Sequence, residues 1–314
     1  MRNFVAAVDL GSGKVRWTTK VKLPPSQITC DPEGREAYFC TNLIGFGEGS
    51  VYAVDPATGR ARWEQKLKSL HAMSAVTLAG DHVLVPCAGQ LLALRRSDGK
   101  LAWAVTMDRS VHPMIALGTD GATAYAAGSA SGEVIAVGVT SGRTLWRTRA
   151  GSMGVAGVGF AAGRLLVARA YEPLLVLELG GGTPVREVKS EASTDCASDG
   201  HFAFFEADYD GEDLSKVVCL DAKTLRTKWT WKIDLKKRKP PHGFVPALVT
   251  AERVYVAAHH GDVIALDREA GKPVWELSNA GDMLAGYRFP TRYGDRVLVY
   301  ARSGEASELL AIPR

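Results

Sequence analysis

The chain has 314 residues, 46% of them hydrophobic and 23% charged, with a mean hydropathy of -0.03 and a net charge of +4. This balance supplies ample core for an ordinary globular protein. The 38 basic residues are interspersed with 34 acidic ones, so charge gives no case for nucleic acid, and no apolar run reaches the length of a membrane span.

The first element, "MRNFVAAVDLGSG", has no h-region and no small-residue cleavage site, which predicts a cytoplasmic protein. It also opens a repeat: an Asp, a Gly four residues later and a Trp four after that. In chain order the copies are Asp9–Gly13–Trp17, Asp55–Gly59–Trp63, Arg95–Gly99–Trp103, Gly138–Gly142–Trp146, Glu178–Gly182–Arg186, Asp221–Leu225–Trp229 and Asp267–Gly271–Trp275. That makes seven copies, spaced by 40 to 46 residues.

Each position has a physical job. The apolar run before the Asp ("VYAV", "LLAL", "VIAV", "LLVL", "VVCL", "VIAL") is too short for a helix and suits a strand buried on both faces. The Asp can accept bonds from backbone N–H groups in the following turn, and the Gly supplies the positive φ of a tight hairpin. The Trp, on the next strand, can fill the space between neighbouring sheets.

Upstream of the hairpins lie paired strand candidates, "SQITCD" with "EAYFCTN" before the second copy and "AMSAVTL" with "HVLVPCA" before the third. The pattern continues to "LAGYRFP" with "RVLVYAR" near the C-terminus. Four antiparallel strands per unit, repeated seven times, predict an all-β, seven-bladed β-propeller. Residues 1–314 form one domain in this reading, and pairing of N- and C-terminal strands closes the ring. "ELLAIPR" at 308–314 competes with "FVAAVDL" for one slot in the closing blade.

At the pattern "vYaaxxxGxvxAlDxxTGkxxW", best seen in residues 254–275 and 122–146, the chain resembles the PQQ-like β-propeller repeat family. The resemblance covers essentially the whole chain. It implies a propeller shared by quinoprotein dehydrogenases and by non-catalytic members, including a subunit of the outer-membrane assembly machine. The enzymes use a longer eight-bladed domain, adjacent cysteines over the quinone, and Ca²⁺ held by Glu, Asn and Asp. Here Cys30, Cys40, Cys87, Cys196 and Cys219 include no Cys-Cys pair, so PQQ is not expected. They read as reduced, mostly buried thiols, with Cys30 and Cys40 as neighbours across a hairpin.

Function in a propeller belongs to its loops and channel mouth. Strands opening "HAMSAV", "HPMIAL" and "HGFVPA" start at His71, His112 and His242, and His260 returns to the level of His242. Four imidazoles converging on one point would suit Zn²⁺, Mn²⁺ or copper. The commoner use of such a His is a hydrogen bond to a neighbouring strand.

Two loops carry charge. "EADYDGEDLSK" holds Asp208, Asp210 and Asp213 in a DxDGxD arrangement without the distal Glu or flanking helices of an EF-hand. "KIDLKKRKPPHG" packs Lys236, Lys237, Arg238 and Lys239 before two prolines. A solvated charged face is the default for both. Together these features predict a monomeric, non-catalytic scaffold that binds a protein or peptide partner through this face, with no cofactor. The alternative is a metal-dependent lyase or hydrolase at His71, His112, His242 and His260.

Overall fold

A computed structural model describes residues 3–9, 12, 14–23, 25, 28–31, 33–41, 48–68, 76–87, 89–107, 115–128, 131–152, 154–169, 172–198, 201–207, 214–221, 223–234, 244–258, 263–277, 291–293, 296–303 and 306–313. The chain divides into two compact units, Met1–Val155 and Ala156–Arg314. Every regular element among the described residues is a β-strand, and each pairing is antiparallel.

In the first unit, β1 (Phe4–Val8) and β2 (Val15–Lys20) make a ribbon. Three four-stranded sheets follow, each in simple up-and-down order. They are β3 (Thr29–Cys30), β4 (Ala37–Thr41), β5 (Gly49–Val54), β6 (Ala61–Leu67); β7 (Thr77–Ala79), β8 (His82–Cys87), β9 (Gln90–Arg95), β10 (Leu101–Thr106); and β11 (Ile115–Thr119), β12 (Thr123–Gly128), β13 (Glu133–Gly138), β14 (Thr144–Arg149). The apolar runs are buried throughout, as in β4 and β8, whereas the last strand of each sheet alternates, as β6 does. The two middle strands are therefore core on both faces, and the last strand is a half-wet edge.

The second unit holds β15 (Val155–Ala161), β16 (Arg164–Arg169), β17 (Glu172–Glu178) and β18 (Pro184–Ser198), then β19 (His201–Ala207), β20 (Leu214–Asp221) and β21 (Thr227–Asp234). Continuous β18 pairs with β17 through its first half and with β19 through its second, fusing two quartets into one seven-stranded sheet. A four-stranded sheet follows: β22 (Phe244–Val249), β23 (Arg253–Ala258), β24 (Val263–Asp267) and β25 (Pro273–Leu277). The last sheet is three-stranded, β26 (Thr291–Tyr293), β27 (Arg296–Ser303) and β28 (Ala306–Pro313).

β28 pairs along the whole of β27, from Arg296↔Pro313 to Ser303↔Ala306, so the C-terminal segment holds that edge. β1 pairs with β2 among the described strands. A local hairpin costs little loop-closure entropy, which favours β28 over a strand from the far end of the chain.

The core lies between successive sheets. Tyr38, Cys40, Val51 and Ala53 of one sheet pack with Val83, Val85, Leu92 and Leu94 of the next. Leu84, Leu91 and Ala93, on the opposite face of that second sheet, pack with Ala124, Ala126, Ile135 and Val137 of the third. The period-2 alternation of each strand thus serves two interfaces at once.

Candidate functional site

The repeat motif is best understood from its turn upward. Asp55 Oδ1 accepts from the amides of Ala57 (2.8 Å) and Thr58 (3.1 Å), and Gly59 N donates to the Asp55 carbonyl at 2.7 Å. Asp221 and Asp267 accept from their own turns in the same way. Those amide bonds, Ala57 first and Thr58 next, hold the Asp55 carboxyl below its ordinary value. Where the Asp is missing, the turn keeps its backbone bond, Gly99 N to Arg95 O at 2.9 Å and Gly142 N to Gly138 O at 2.8 Å. Another side chain of the turn accepts instead: Asp98 from the Lys100 amide at 3.0 Å and Ser141 from the Arg143 amide at 3.2 Å.

The Tyr, Ala and Trp of the motif face each other across three strands. Tyr38 lies opposite Ala53, which lies opposite Trp63, and the two rings come within 5.9 Å over the small residue. Tyr125–Ala136–Trp146 and Tyr255–Ala265–Trp275 repeat this at 6.1 and 5.9 Å. A larger residue in the middle would hold the rings apart. In the β7–β10 sheet the Tyr is Leu84, and His82 comes to 6.3 Å from Trp103 instead.

Four of the Trp rings also reach the next sheet. The indole N–H groups of Trp17, Trp63, Trp103 and Trp229 donate to the carbonyls of Pro56, Arg96, Val139 and Arg268, each at 2.8 Å. The same rings lie on the following hairpin's Gly. A Cβ on Gly99 would stand 2.6 Å from Trp63, and one on Gly142 would stand 2.5 Å from Trp103. The Gly is therefore needed twice, for its φ of +72° at Gly99 and for the ring that covers it.

A buried polar cluster clasps two sheets of the first unit. Asp31 is 3% exposed; its Oδ1 accepts from the amides of Arg35 (2.6 Å) and Glu36 (3.0 Å). Arg96, from the β9–β10 turn, reaches Asp31 at 3.3 Å and Glu36 at 2.8 Å, and stacks on the Tyr38 ring. Burial pushes the Asp31 carboxyl up, but the Glu36 and Arg35 amides and the Arg96 charge outweigh it and hold the group low. Burial and the bond to Glu36 push the Tyr38 hydroxyl up to about 12. Every member of this cluster is occupied by another, so its chemistry is that of a structural clasp. Sequence reasoning passed over it because Asp31 and Arg96 are 65 residues apart and belong to no shared motif.

The residues singled out for function fall elsewhere. His71, His112, His242 and His260, the acidic Asp208, Asp210 and Asp213, and the basic Lys236, Lys237, Arg238 and Lys239 all lie outside the described residues. Among the described residues, no group of three or more His, Cys, Asp or Glu is arranged to hold a metal ion. Cys30 and Cys219 are free thiols. Cys30 pairs with Ala37 across the β3–β4 hairpin, so it shares that residue's face, while Cys40 points to the other; they are not neighbours. Burial drives the Cys219 thiol up to about 12.

Comparison with known proteins follows from this architecture. The chain is 22% identical to the outer membrane protein assembly factor BamB of Yersinia pestis over 289 residues, 88% of this chain and 62% of that protein. It is also 22% identical to BamB of Moranella endobia over 330 residues, 98% of this chain and 80% of that one. The chain thus spans less than two thirds of the length of the Yersinia relative. Among solved structures it is similar to BamB of Moraxella catarrhalis, with a TM-score of 0.71 at 19% identity, covering 96% of this chain and 88% of that one. A computationally designed protein, Ika8, gives a TM-score of 0.72 at 12% identity over 94% and 86% of the two chains. At such identities the structural likeness speaks for the fold alone.

The relatives are named for the outer membrane, which overturns the expectation of a cytoplasmic protein. The N-terminal residues behind that expectation build β1, and a sequence shaped by strand packing carries no address. A family model of the PQQ_2 type, described as outer membrane protein assembly factor BamB, matches residues 2–230 and again 215–312. With nearly the whole chain matched, and with the motif's Tyr, Ala, Gly and Trp each fixed in the sheet packing, the chain belongs to this PQQ-like β-propeller repeat family.

Proposed function

We propose that the chain is a non-catalytic propeller scaffold that binds a protein partner in the assembly of outer membrane proteins. The observation that carries this reading is the match to assembly factors over nearly the full chain. It is supported by the use of the repeat: the motif residues are spent on holding sheet to sheet, which leaves recognition to the connections between strands. The charged segments 208–213 and 236–239 are the parts of this surface offered to the partner, the first acidic and the second basic. Seven motif copies support seven blades in a single monomeric domain of residues 1–314, closed through the terminal strands, and no cofactor is assigned.

The test is genetic and quantitative. Removing the chain from its source cells lowers the outer-membrane β-barrel proteins measured by mass spectrometry. The native sequence restores them, and a form with Lys236, Lys237, Arg238 and Lys239 changed to Gln restores them less well. Unchanged β-barrel levels after removal would sink the assembly reading. Full restoration by the Gln form would remove the basic segment from the recognition surface.

A further inference from the structure

We infer that Arg186 and Leu225 form a latch of reversed sense between the two quartets that share β18, which lets the β15–β18 quartet seat only on the hairpin that follows it. At four other junctions, the preceding sheet supplies the bulky group and the following hairpin supplies the gap. Trp63 lies over Gly99 and Trp103 over Gly142, and the same relation holds for Trp17 with Gly59 and Trp229 with Gly271. A Trp and a Cβ at these positions exclude each other, since the ring already stands where the Cβ would go.

At one junction both members change together. The fifth copy has Arg186 in place of Trp, and the sixth has Leu225 in place of Gly. Leu225 keeps the hairpin, with a φ of +56° and its N–H donating to the Asp221 carbonyl at 2.8 Å. A left-handed Leu is strained, so something must offset it. The offset is burial: Leu225 is 4% exposed, in a cluster with Leu166, Leu174 and Val176 of the preceding quartet and with Val218 and Leu220 of its own. Here the following hairpin supplies the bulky group.

Arg186 has moved out of its way. It is exposed, and its guanidinium reaches the Leu225 carbonyl at 3.4 Å, while Arg164 donates to the Lys223 carbonyl at 2.9 Å. Two arginines thus tie the turn where a single indole N–H does so elsewhere. In a chain of similar repeats, units docked in the wrong order are a characteristic failure. The Leu225 hairpin refuses any strand that carries a Trp, and the Arg186 strand leaves a Gly hairpin unfilled. This junction accepts only its own partner.

The test is a substitution cycle on the full chain, read by thermal unfolding and by recovery of folded protein after dilution from denaturant. Arg186→Trp drives a ring into Leu225 and lowers the melting temperature by about 5 °C, and Leu225→Gly empties the cluster for a comparable loss. Arg186→Trp with Leu225→Gly recreates the ordinary latch and melts higher than either single variant. Arg186→Trp with Leu225→Ala keeps the blocking Cβ and stays as low as Arg186→Trp alone. Should Arg186→Trp fail to fold, the two double variants carry the test: recovery with Gly and none with Ala supports the reversed latch. Additive losses, equal behaviour of the Gly and Ala doubles, or failure of both overturns it.

Discussion

The junction at Trp63 and Gly99 and the junction at Arg186 and Leu225 join successive quartets of strands by opposite means. In the first, an indole covers a gap and donates to Arg96 O at 2.8 Å; in the second, a buried Leu fills the cluster and an exposed Arg binds from outside. What differs is which sheet supplies the volume. The repeat therefore has to be read two copies at a time. The Trp of one copy explains the Gly of the next, and a copy that loses one can keep its neighbour only by changing it too.

That comparison breaks most readily at the Gly. Gly99→Ala forces a Cβ to 2.6 Å from Trp63 at a φ of +72°. The expected loss is about 2–5 kcal/mol, from overpacking and a left-handed Ala together. Gly163→Ala is the control: its φ is +73°, but nothing lies within 4 Å of the new Cβ. There the loss is about 1–2 kcal/mol, from backbone strain alone. Calorimetric unfolding of the two variants side by side checks this, and equal losses would mean that the Trp does not enforce the Gly.

The Asp31 clasp gives a loss of similar or smaller size with a pH signature. Asp31→Ala leaves two amides and Arg96 without their shared acceptor, at an expected cost of about 2–4 kcal/mol. Asp31 and Glu36 are held below their ordinary values of 3.8 and 4.5, so the folded state favours their charged forms. Their stabilisation is complete above those ordinary values and is lost as pH falls through the lowered ones. Melting temperatures of the native chain should drop steeply below about pH 4, and those of Asp31→Asn less steeply. Parallel slopes for the two proteins would count against the clasp.

How much of this was legible in sequence follows from repetition. The Asp, Gly and Trp of the motif meet the same neighbours in copy after copy, so their spacing exposed the hairpins and strands before any coordinate. The pairing of Leu225 with Arg186 was visible only as two worn copies, because the contact runs between repeats. Arg96 with Asp31 left no trace, since it occurs once. The charged segments also occur once each, and the histidines recur in only some of the copies, so neither carries the full periodicity that would reveal a partner. Cys30 and Cys40 show the same limit at short range, where one residue of register sends them to opposite faces.

A smaller effect sharpens the role of the indole. Trp63→Phe keeps an aromatic ring near Tyr38 and over Gly99 but removes the N–H that donates to Arg96 O at 2.8 Å. The expected cost is about 1–2 kcal/mol, from one hydrogen bond and a smaller ring, readable as a shift of a few degrees in melting. A loss as large as that of Gly99→Ala would move the weight of the junction from packing to hydrogen bonding.

The smallest expected effect is at the histidines, and it bears on function rather than on fold. The scaffold reading requires nothing of His71 or His242 as ligands. Elemental mass spectrometry on untagged protein, before and after exposure to Zn²⁺, Mn²⁺ and copper, should then give no stoichiometric metal, and His71→Ala with His242→Ala should leave that result unchanged. About one transition metal per chain, lost in the double variant, would reverse the ranking, because a structural histidine bonded to a strand neighbour has no reason to hold an ion. The same double variant tested for rescue of β-barrel levels separates the two roles. A scaffold tolerates it, whereas a metal-dependent enzyme, whose bound water needs the ion to become a nucleophile, does not.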